Sequence, residues 1–315
     1  MKVLITGGAG FIGSHLAKML LNRGMSVIIL DDLSTGMVKN VPEGAVFYQR
    51  SITDHITDIF DSERPDKVIH LAAQVSVAKS LENPTKDAAV NIMGGLNLLK
   101  QCVNYNVDKM IYASTAAVYG DPIALPLSED HPKQPLAPYG INKWTFEHYL
   151  ESYRLNFGLD YTVLRYANVY GPDQLPGSDG GVVAIFVDKL INGEPLCIFG
   201  DGDQTRDFIY VEDACRANYL ALDRASGQML NIGGGVETSI NYLAEKVSEL
   251  SGTAPKLEYK DFRPGDIYKS VFQIDRAKES LGFSAEYDLE TGLKLTLQAV
   301  GIDATELERR CERGP

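Results

Sequence analysis

Cysteine is scarce in this chain. Its four cysteines, Cys102, Cys197, Cys215 and Cys311, are widely spaced and form no CxxC or other metal-ligand pattern. A thiolate metal site is therefore not expected, and the four read as reduced thiols of a cytoplasmic protein. Long apolar runs are absent too: none nears the ~18 residues of a membrane span. With a strand expected from Lys2, no room is left for a signal peptide. Positive charge is in deficit, with 30 Lys and Arg against 42 Asp and Glu and a net charge of -12. That balance argues against nucleic acid or an anionic membrane as a partner, though not against a nucleotide-sized ligand in a local pocket. Internal repeats and low-complexity segments are missing as well.

What is present is an alternation. At 315 residues the chain suits one large domain or two unequal ones. Short β-rich runs are expected at Val3 to Thr6, Val27 to Leu30, Ala45 to Tyr48, Val68 to Leu71, Met110 to Ala113 and Tyr161 to Leu164. Helical stretches lie between them, such as Ser14 to Asn22 closed by Gly24. Strands apolar on both faces, each followed by a helix, predict a Rossmann-type, doubly wound parallel α/β sheet. After about Asn168 the texture changes. "YGPDQLPGSDGG", residues 170 to 181, is loop-rich, and shorter elements follow, among them Met229 to Ile232 and Ile240 to Leu250. The expected division is a dinucleotide-binding domain of residues 1–167, rejoined by about 207–235, and a smaller C-terminal α/β substrate-binding domain within 168–315. The charged tail "ELERRCERGP" is expected to fray.

Three stretches carry chemistry. In "TGGAGFIGSH", residues 6 to 15, Gly7, Gly10 and Gly13 recur every third position where a strand gives way to a helix. Gly7 suits a tight turn, Gly10 a close approach to pyrophosphate, and Gly13 helix packing on the sheet. Free N–H groups and the helix dipole would then hold the anion. The spacing alone is also compatible with a bare turn. Context favours the dinucleotide: a second strand ends in Asp31, eighteen residues beyond Gly13. An acid there accepts bonds from ribose hydroxyls, and the next residue is Asp32 rather than Arg, so NAD is favoured over NADP. In "PYGINK", residues 138 to 143, Pro138 suits a helix start and places Tyr139 and Lys143 on one face. An ammonium beside a phenol lowers its pKa, although such a pair alone is more commonly a solvated helix face. "YASTAAVYG", residues 112 to 120, puts Ser114 and Thr115 at a strand's carboxyl end, where ligands bind in such sheets. A Ser/Thr turn capping the strand is the plainer alternative.

Together these stretches resemble the extended short-chain dehydrogenase/reductases, the NAD-dependent epimerases and dehydratases of nucleotide sugars, over residues 1 to about 300. The likeness is nearest to the UDP-glucose 4-epimerases. It implies a cofactor site of Gly7, Gly10, Phe11, Ile12 and Gly13, with Asp31 and Asp32 at the ribose. "HLAAQVSV", residues 70 to 77, matches the run lining the dinucleotide, which adds Leu71, Ala72, Ala73 and Gln74. Asn91, Ser114, Tyr139, Lys143 and Tyr166 complete that site, with Ser51 and Ile52 near the adenine. Many relatives carry an Asp-Ile pair where this chain has Ser51 and Ile52, which leaves the adenine contact open. Tyr139, Lys143 and Thr115 match the catalytic positions. For a UDP-sugar, the resemblance implies Ser76, Thr115, Asn168, Val182, Val183, Phe199, Arg206, Arg263, Asp266 and Ser270. Phe199 would lie beside the base, Arg206 and Arg263 on phosphate, and Asp266 on the uridine ribose. Without the resemblance Phe199 is core and Arg206 a surface charge. No metal is implied. Relatives pair through helices matching about 88–104 and 139–156, which implies a homodimer.

The family also implies which chemistry to expect. Its dehydratases carry an Asp-Glu pair directly after the threonine, and its decarboxylases usually a glutamate at the second position. Here those positions are Ala116 and Ala117, and methyl groups move no protons. Reversible oxidation at the sugar C4 remains: 4-epimerisation of UDP-galactose and UDP-glucose with tightly held NAD. Position 270 lines the hexose pocket in relatives, and a serine there leaves room for N-acetylhexosamines. Other nucleotide sugars, UDP-GlcNAc or UDP-glucuronate, stay open as the substrate. A non-catalytic dinucleotide sensor is the alternative from a different class.

Overall fold

In the computed structural model, which describes residues 1–177, 181–262 and 266–302, the runs apolar on both faces are strands. They are β1 (Lys2–Thr6), β2 (Ser26–Asp31), β3 (Val46–Gln49), β4 (Lys67–His70), β5 (Lys109–Thr115) and β6 (Asp160–Tyr166). Helix α1 (Phe11–Asn22) follows β1, and α2 (Thr57–Glu63) follows β3. After β4 come α3 (Val77–Glu82), α4 (Pro84–Ala88) and α5 (Gly95–Asn104), the last two joined by a π-helical turn at Ala89–Gly94. Helix α6 (Pro138–Phe157) follows β5. It starts on Pro138 as expected, because a missing N–H costs nothing in the first turn. Gly24 closes α1 in the left-handed region, its N–H donating to Leu21 O at 2.8 Å.

The later elements are shorter: β7 (Asn168–Tyr170), α7 (Val182–Ile191), β8 (Leu196–Phe199), β9 (Thr205–Tyr210), α8 (Val211–Ala221) and β10 (Gln228–Ile232). Then come β11 (Glu237–Ser239), α9 (Ile240–Leu250), β12 (Leu257–Lys260), α10 (Asp275–Leu281) and α11 (Leu289–Ala299). The expected tail from Glu306 lies outside the described residues.

Seven strands form one sheet in the order β10-β6-β5-β4-β1-β2-β3. Every pairing in it is parallel. Alternate residues feed two separate cores. Val3, Ile5, Val27 and Ile29 pack with α1 and α8 on one face. Leu4, Ile28, Leu30 and Val68 pack with Phe60, Leu98 and Phe146 on the other. A sheet covered on both faces needs apolar residues at every strand position, which is why these strands do not alternate with polar residues. The Met229–Ile232 run belongs to this sheet, pairing with β6. Two small sheets accompany it, β11-β9-β7 and β12-β8.

The chain winds outward from β1 through β2 to β3, then returns to the other side of β1 at β4. Strand order reverses there, and in such sheets the carboxyl ends of the strands at that point form the crevice where ligands bind.

Candidate active site

The glycine turn sits in that crevice. Gly7 has φ +72°, and a Cβ on it would meet the backbone N of Ala72 at 2.7 Å. The turn after β1 therefore lies directly against the Leu71–Gln74 segment after β4. A Cβ on Gly13 would collide with Gly7 O, whereas one on Gly10 would meet only Gly7 O, at 3.3 Å. Gly10 thus leaves an open cradle above the first turn of α1, whose Phe11, Ile12 and Gly13 amides lack intrahelical acceptors. Such amides suit an anion. The side chains of Phe11 and Ile12 pack back onto the core.

Asp31 ends β2 and is buried, 7% exposed as a residue. Oδ2 accepts the Ala9 N–H at 2.9 Å and Oδ1 the Leu33 N–H at 2.8 Å. Burial raises its pKa, and the two backbone bonds oppose that. Each oxygen accepts one N–H and so has capacity for a second donor such as a ribose hydroxyl. Asp32 turns outward to accept the Ser34 N–H at 2.9 Å. The Ser51 hydroxyl shares a bond with Thr53 at 2.9 Å, its N–H donates to Asp54, and Ile52 is buried against Gly94. Ile52 can therefore meet a ligand through backbone only.

Beyond β4, Asn91 in the π-helical turn exchanges two bonds with Gln74: it accepts from Gln74 N at 3.1 Å and donates to Gln74 O at 3.0 Å. The Gln74 amide in turn donates to Ser76 O and to Asp87 Oδ1. Ser76 caps α3, accepting the Lys79 N–H at 3.2 Å.

Thr115 and Tyr139 come together: the Thr115 hydroxyl, which accepts the Ala117 N–H at 3.2 Å, lies near enough to the phenol to lower its pKa. The contact is built by Gly140, where a Cβ would lie 2.6 Å from Ala117 O. Only glycine lets α6 start this close to the turn after β5. Burial pushes the Tyr139 phenol up to about 12, against the pull of Thr115. Lys143, one turn on, is 3% exposed and donates to Ala113 O at 2.8 Å. Its ammonium stands 6.0 Å from the centre of the Tyr139 ring. Burial brings the lysine down to about 7, while Asp87 and Glu147 act to raise it. Ser114 points to the opposite sheet face from Thr115, and its hydroxyl donates to Glu147 Oε1 at 2.6 Å. A cofactor contact from Ser114 would fall to its backbone. Tyr166, paired in register with Thr115, accepts from Asn218 at 2.6 Å.

Of the residues expected at a sugar nucleotide, Asn168, Phe199 and Arg206 lie on the smaller sheets, while Val182, Val183, Asp266 and Ser270 come from α7 and irregular segments. Asn168 opens β7 opposite Phe208 of β9. Val182 and Val183 begin α7, with Val183 fully in the core, so that only its backbone is available to a ligand. Phe199 ends β8, its carbonyl accepting from Gln204 at 2.6 Å. Arg206, expected on phosphate, pairs with Asp266 at 2.6 Å. Ser270 is buried beside Val271, whose carbonyl accepts the Leu127 N–H at 2.8 Å. Arg263 lies outside the described residues.

Several polar residues around the site escaped the sequence reading. Glu147, 0% exposed, forms a two-point ion pair with Arg165 at 3.0 and 2.6 Å. Arg165 passes on to Tyr119 at 2.9 Å, and Tyr119 to Asn231 at 2.6 Å. Asp207 accepts three backbone N–H groups, from Gly234, Gly235 and Phe272, tying the loop after β10 to the irregular segment that carries Ser270. Glu147 did have a signal, since Tyr139, Lys143 and Glu147 repeat at four-residue spacing. A cavity of about 580 Å³ opens elsewhere, at the β10 edge, among Glu129, Lys133, Arg165 and Arg276. None of the expected site residues lines it. Among the described residues no cluster of His, Cys, Asp and Glu could hold a metal, and no helix is long and apolar enough to cross a membrane.

Comparison with known proteins agrees with this geometry. Residues 3–233 match the model of the NAD dependent epimerase/dehydratase family. The UDP-glucose 4-epimerase of Mycolicibacterium smegmatis is 39% identical over 306 residues, covering 95% of this chain and 98% of that one. A crystal structure of the Thermotoga maritima UDP-glucose 4-epimerase with UDP-glucose superposes with a TM-score of 0.94 at 45% identity, over 95% and 98% of the two chains. The Thermus thermophilus UDP-glucose 4-epimerase, crystallised with NAD, gives 0.91 at 40%, over 96% and 99%.

Proposed function

Because the chain belongs to the NAD dependent epimerase/dehydratase family, we propose that it is a nucleotide-sugar 4-epimerase interconverting UDP-galactose and UDP-glucose. One observation carries the reading: Thr115, Tyr139 and Lys143 converge at the crevice while Ala116 and Ala117, which follow Thr115, supply no acid or base. That set can move one proton on and off a hydroxyl, and can do little else.

The open Gly10 cradle and the half-satisfied Asp31 carboxylate fit a dinucleotide with a free ribose diol. Gly7, Gly10, Phe11, Ile12, Gly13, Asp31, Leu71 to Gln74, Asn91, Tyr139, Lys143 and Tyr166 would hold it. Bound there, NAD would supply a reversible hydride acceptor for the sugar C4 and a positive charge favouring a phenolate nearby. Tyr139 Oη takes the proton of the sugar's 4-hydroxyl and gives it back after the hexose has turned over. Lys143 stabilises the phenolate. Thr115 bridges the sugar hydroxyl and Tyr139. Arg206, Arg263, Asp266, Phe199, Asn168, Ser76 and the α7 amides would anchor the UDP half, so that binding energy sits away from the hexose and leaves it free to turn.

On this reading residues 1–167 with about 207–235 hold the dinucleotide, and the rest of 168–315 holds the sugar nucleotide. Galactose metabolism in the cytoplasm is the fitting context. Met93, Ile141 and Tyr149, exposed on the α5–α6 side, support a homodimer through those helices. A second reading widens the substrate: a buried serine at position 270 leaves space for a 2-acetamido group. The test is incubation of the purified protein with UDP-galactose and no added cofactor, following UDP-glucose. A dinucleotide sensor would bind NAD and convert nothing.

A further inference from the structure

Asp87 is 1% exposed, yet no cation among the described residues forms an ion pair with it. Two neutral amides hold it instead: Gln74 Nε2 at Oδ1 and Asn142 Nδ2 at Oδ2, each at 2.6 Å. Amide donors fix a carboxylate in place without cancelling its charge. Helix α4, which carries Asp87, packs against α6, and the Asn142 amide of α6 fixes the carboxylate beside the turn that bears Tyr139 and Lys143. The other buried acid near Lys143 is Glu147, already bound by Arg165 and Ser114.

We propose that Asp87 is a positioning residue of the Tyr139–Lys143 pair: its fixed, uncancelled carboxylate keeps the buried Lys143 an ammonium. The inference rests on the epimerase reading above and adds to it a residue that need not touch cofactor or substrate. Lys143 is faced by Tyr139 and Glu147 from α6, Tyr112 from β5, His70 from β4 and Asp87 from α4. Tyr112 and His70 bring no negative charge, since burial holds the phenol protonated and the imidazole neutral. Burial alone drives the lysine toward its neutral form, and a nearby negative charge opposes it. The same charge disfavours the Tyr139 phenolate. Removing it should therefore lower both titrations together.

The experiment compares wild type, Asp87→Asn, Asp87→Glu and Asn142→Leu as purified, each checked for a folded thermal transition. One readout is kcat/KM for UDP-galactose against pH. The other is the ¹³Cε titration of Lys143, assigned by the loss of its signal in Lys143→Arg. In Asp87→Asn both limbs of the pH profile and the Lys143 titration should move acid-ward by about one unit. Asp87→Glu, which keeps the charge, should restore their position even if the rate falls. A folded Asp87→Asn with unmoved limbs and only a lower maximum overturns the proposal, because a structural role changes height alone. Should Asp87→Asn fail to fold, Asn142→Leu decides. Losing one of its two amide donors leaves the carboxylate free to turn away from Lys143, so Lys143 should move the same way, and an unmoved titration overturns the proposal. A wild type without epimerase activity contradicts the epimerase reading alone, since the Lys143 titration still tests Asp87.

Discussion

Arg165 and Arg206 each pair with a carboxylate at 2.6 Å, on opposite sides of the crevice. The side chains of Arg165 and its partner Glu147 are 2% and 1% exposed, joined at two points and continued by Tyr119 and Asn231. Arg206 meets Asp266 through one contact, with that carboxylate 43% exposed. The first pair locks α6, which bears Tyr139 and Lys143, against β6. The second is open to solvent at Asp266, while Arg206 is only 15% exposed, so the aspartate is the side that can exchange with a ligand. Rigidity is thus divided between the two sides. The proton-transfer groups and the dinucleotide cradle are fixed by backbone and buried pairs, while the groups that would grip UDP can trade one another for phosphate and ribose.

Four tests bear on that contrast. The largest effect should come from Tyr139→Phe, which removes one oxygen from the fixed side. Turnover should fall by about 10²–10⁴-fold, as for loss of a general base, with an almost unchanged melting temperature. Near-normal rates in the Phe variant would remove Tyr139 from the mechanism. Next, Arg165→Met strands the buried Glu147 and should cost about 3–5 kcal/mol in urea unfolding. Arg206→Met, on the wet side, should cost under ~1 kcal/mol of stability and instead weaken UDP binding by calorimetry. Equal destabilisation by the two would erase the contrast.

Third, Asp31→Ala should weaken NAD by about 1.5–3 kcal/mol, the scale of a charge-assisted contact. Mass spectrometry of the denatured supernatant reads it, and NADP found there in wild type would contradict the Asp31 argument. The smallest effect should be that of Ser270→Tyr: a selective loss of UDP-GlcNAc/UDP-GalNAc conversion with UDP-galactose largely spared. If wild type already rejects the acetylated pair, Ser270 does not gate the pocket.

The sequence made legible what depends on local pattern. Doubly apolar strands can only be covered on both faces, and Gly7, Gly10, Gly13 and Pro138 do what their backbone freedom or restriction demands. Tyr139 and Lys143 could be paired because helical spacing fixes their common face. Asp87 could not be foreseen, since its importance lies in Gln74 and Asn142, thirteen and fifty-five residues away in the chain. The Arg165–Glu147 pair spans a helix and a strand, and a lone Arg within "TVLRYA" gives no hint of its partner. Asp207 gathers three N–H groups from two distant loops, a contact that only the tertiary fold creates. Local rules expose a site's geometry when it sits at one turn. Charges that meet across the sheet remain hidden.

The decisive measurement mixes the purified protein with UDP-galactose, adds no dinucleotide, and follows the sugar by NMR. Conversion to an equilibrium mixture with UDP-glucose is expected, supported by NAD carried through purification and lost in Tyr139→Phe. UDP-galactose left unchanged by a protein that demonstrably contains NAD would contradict the proposed epimerase chemistry.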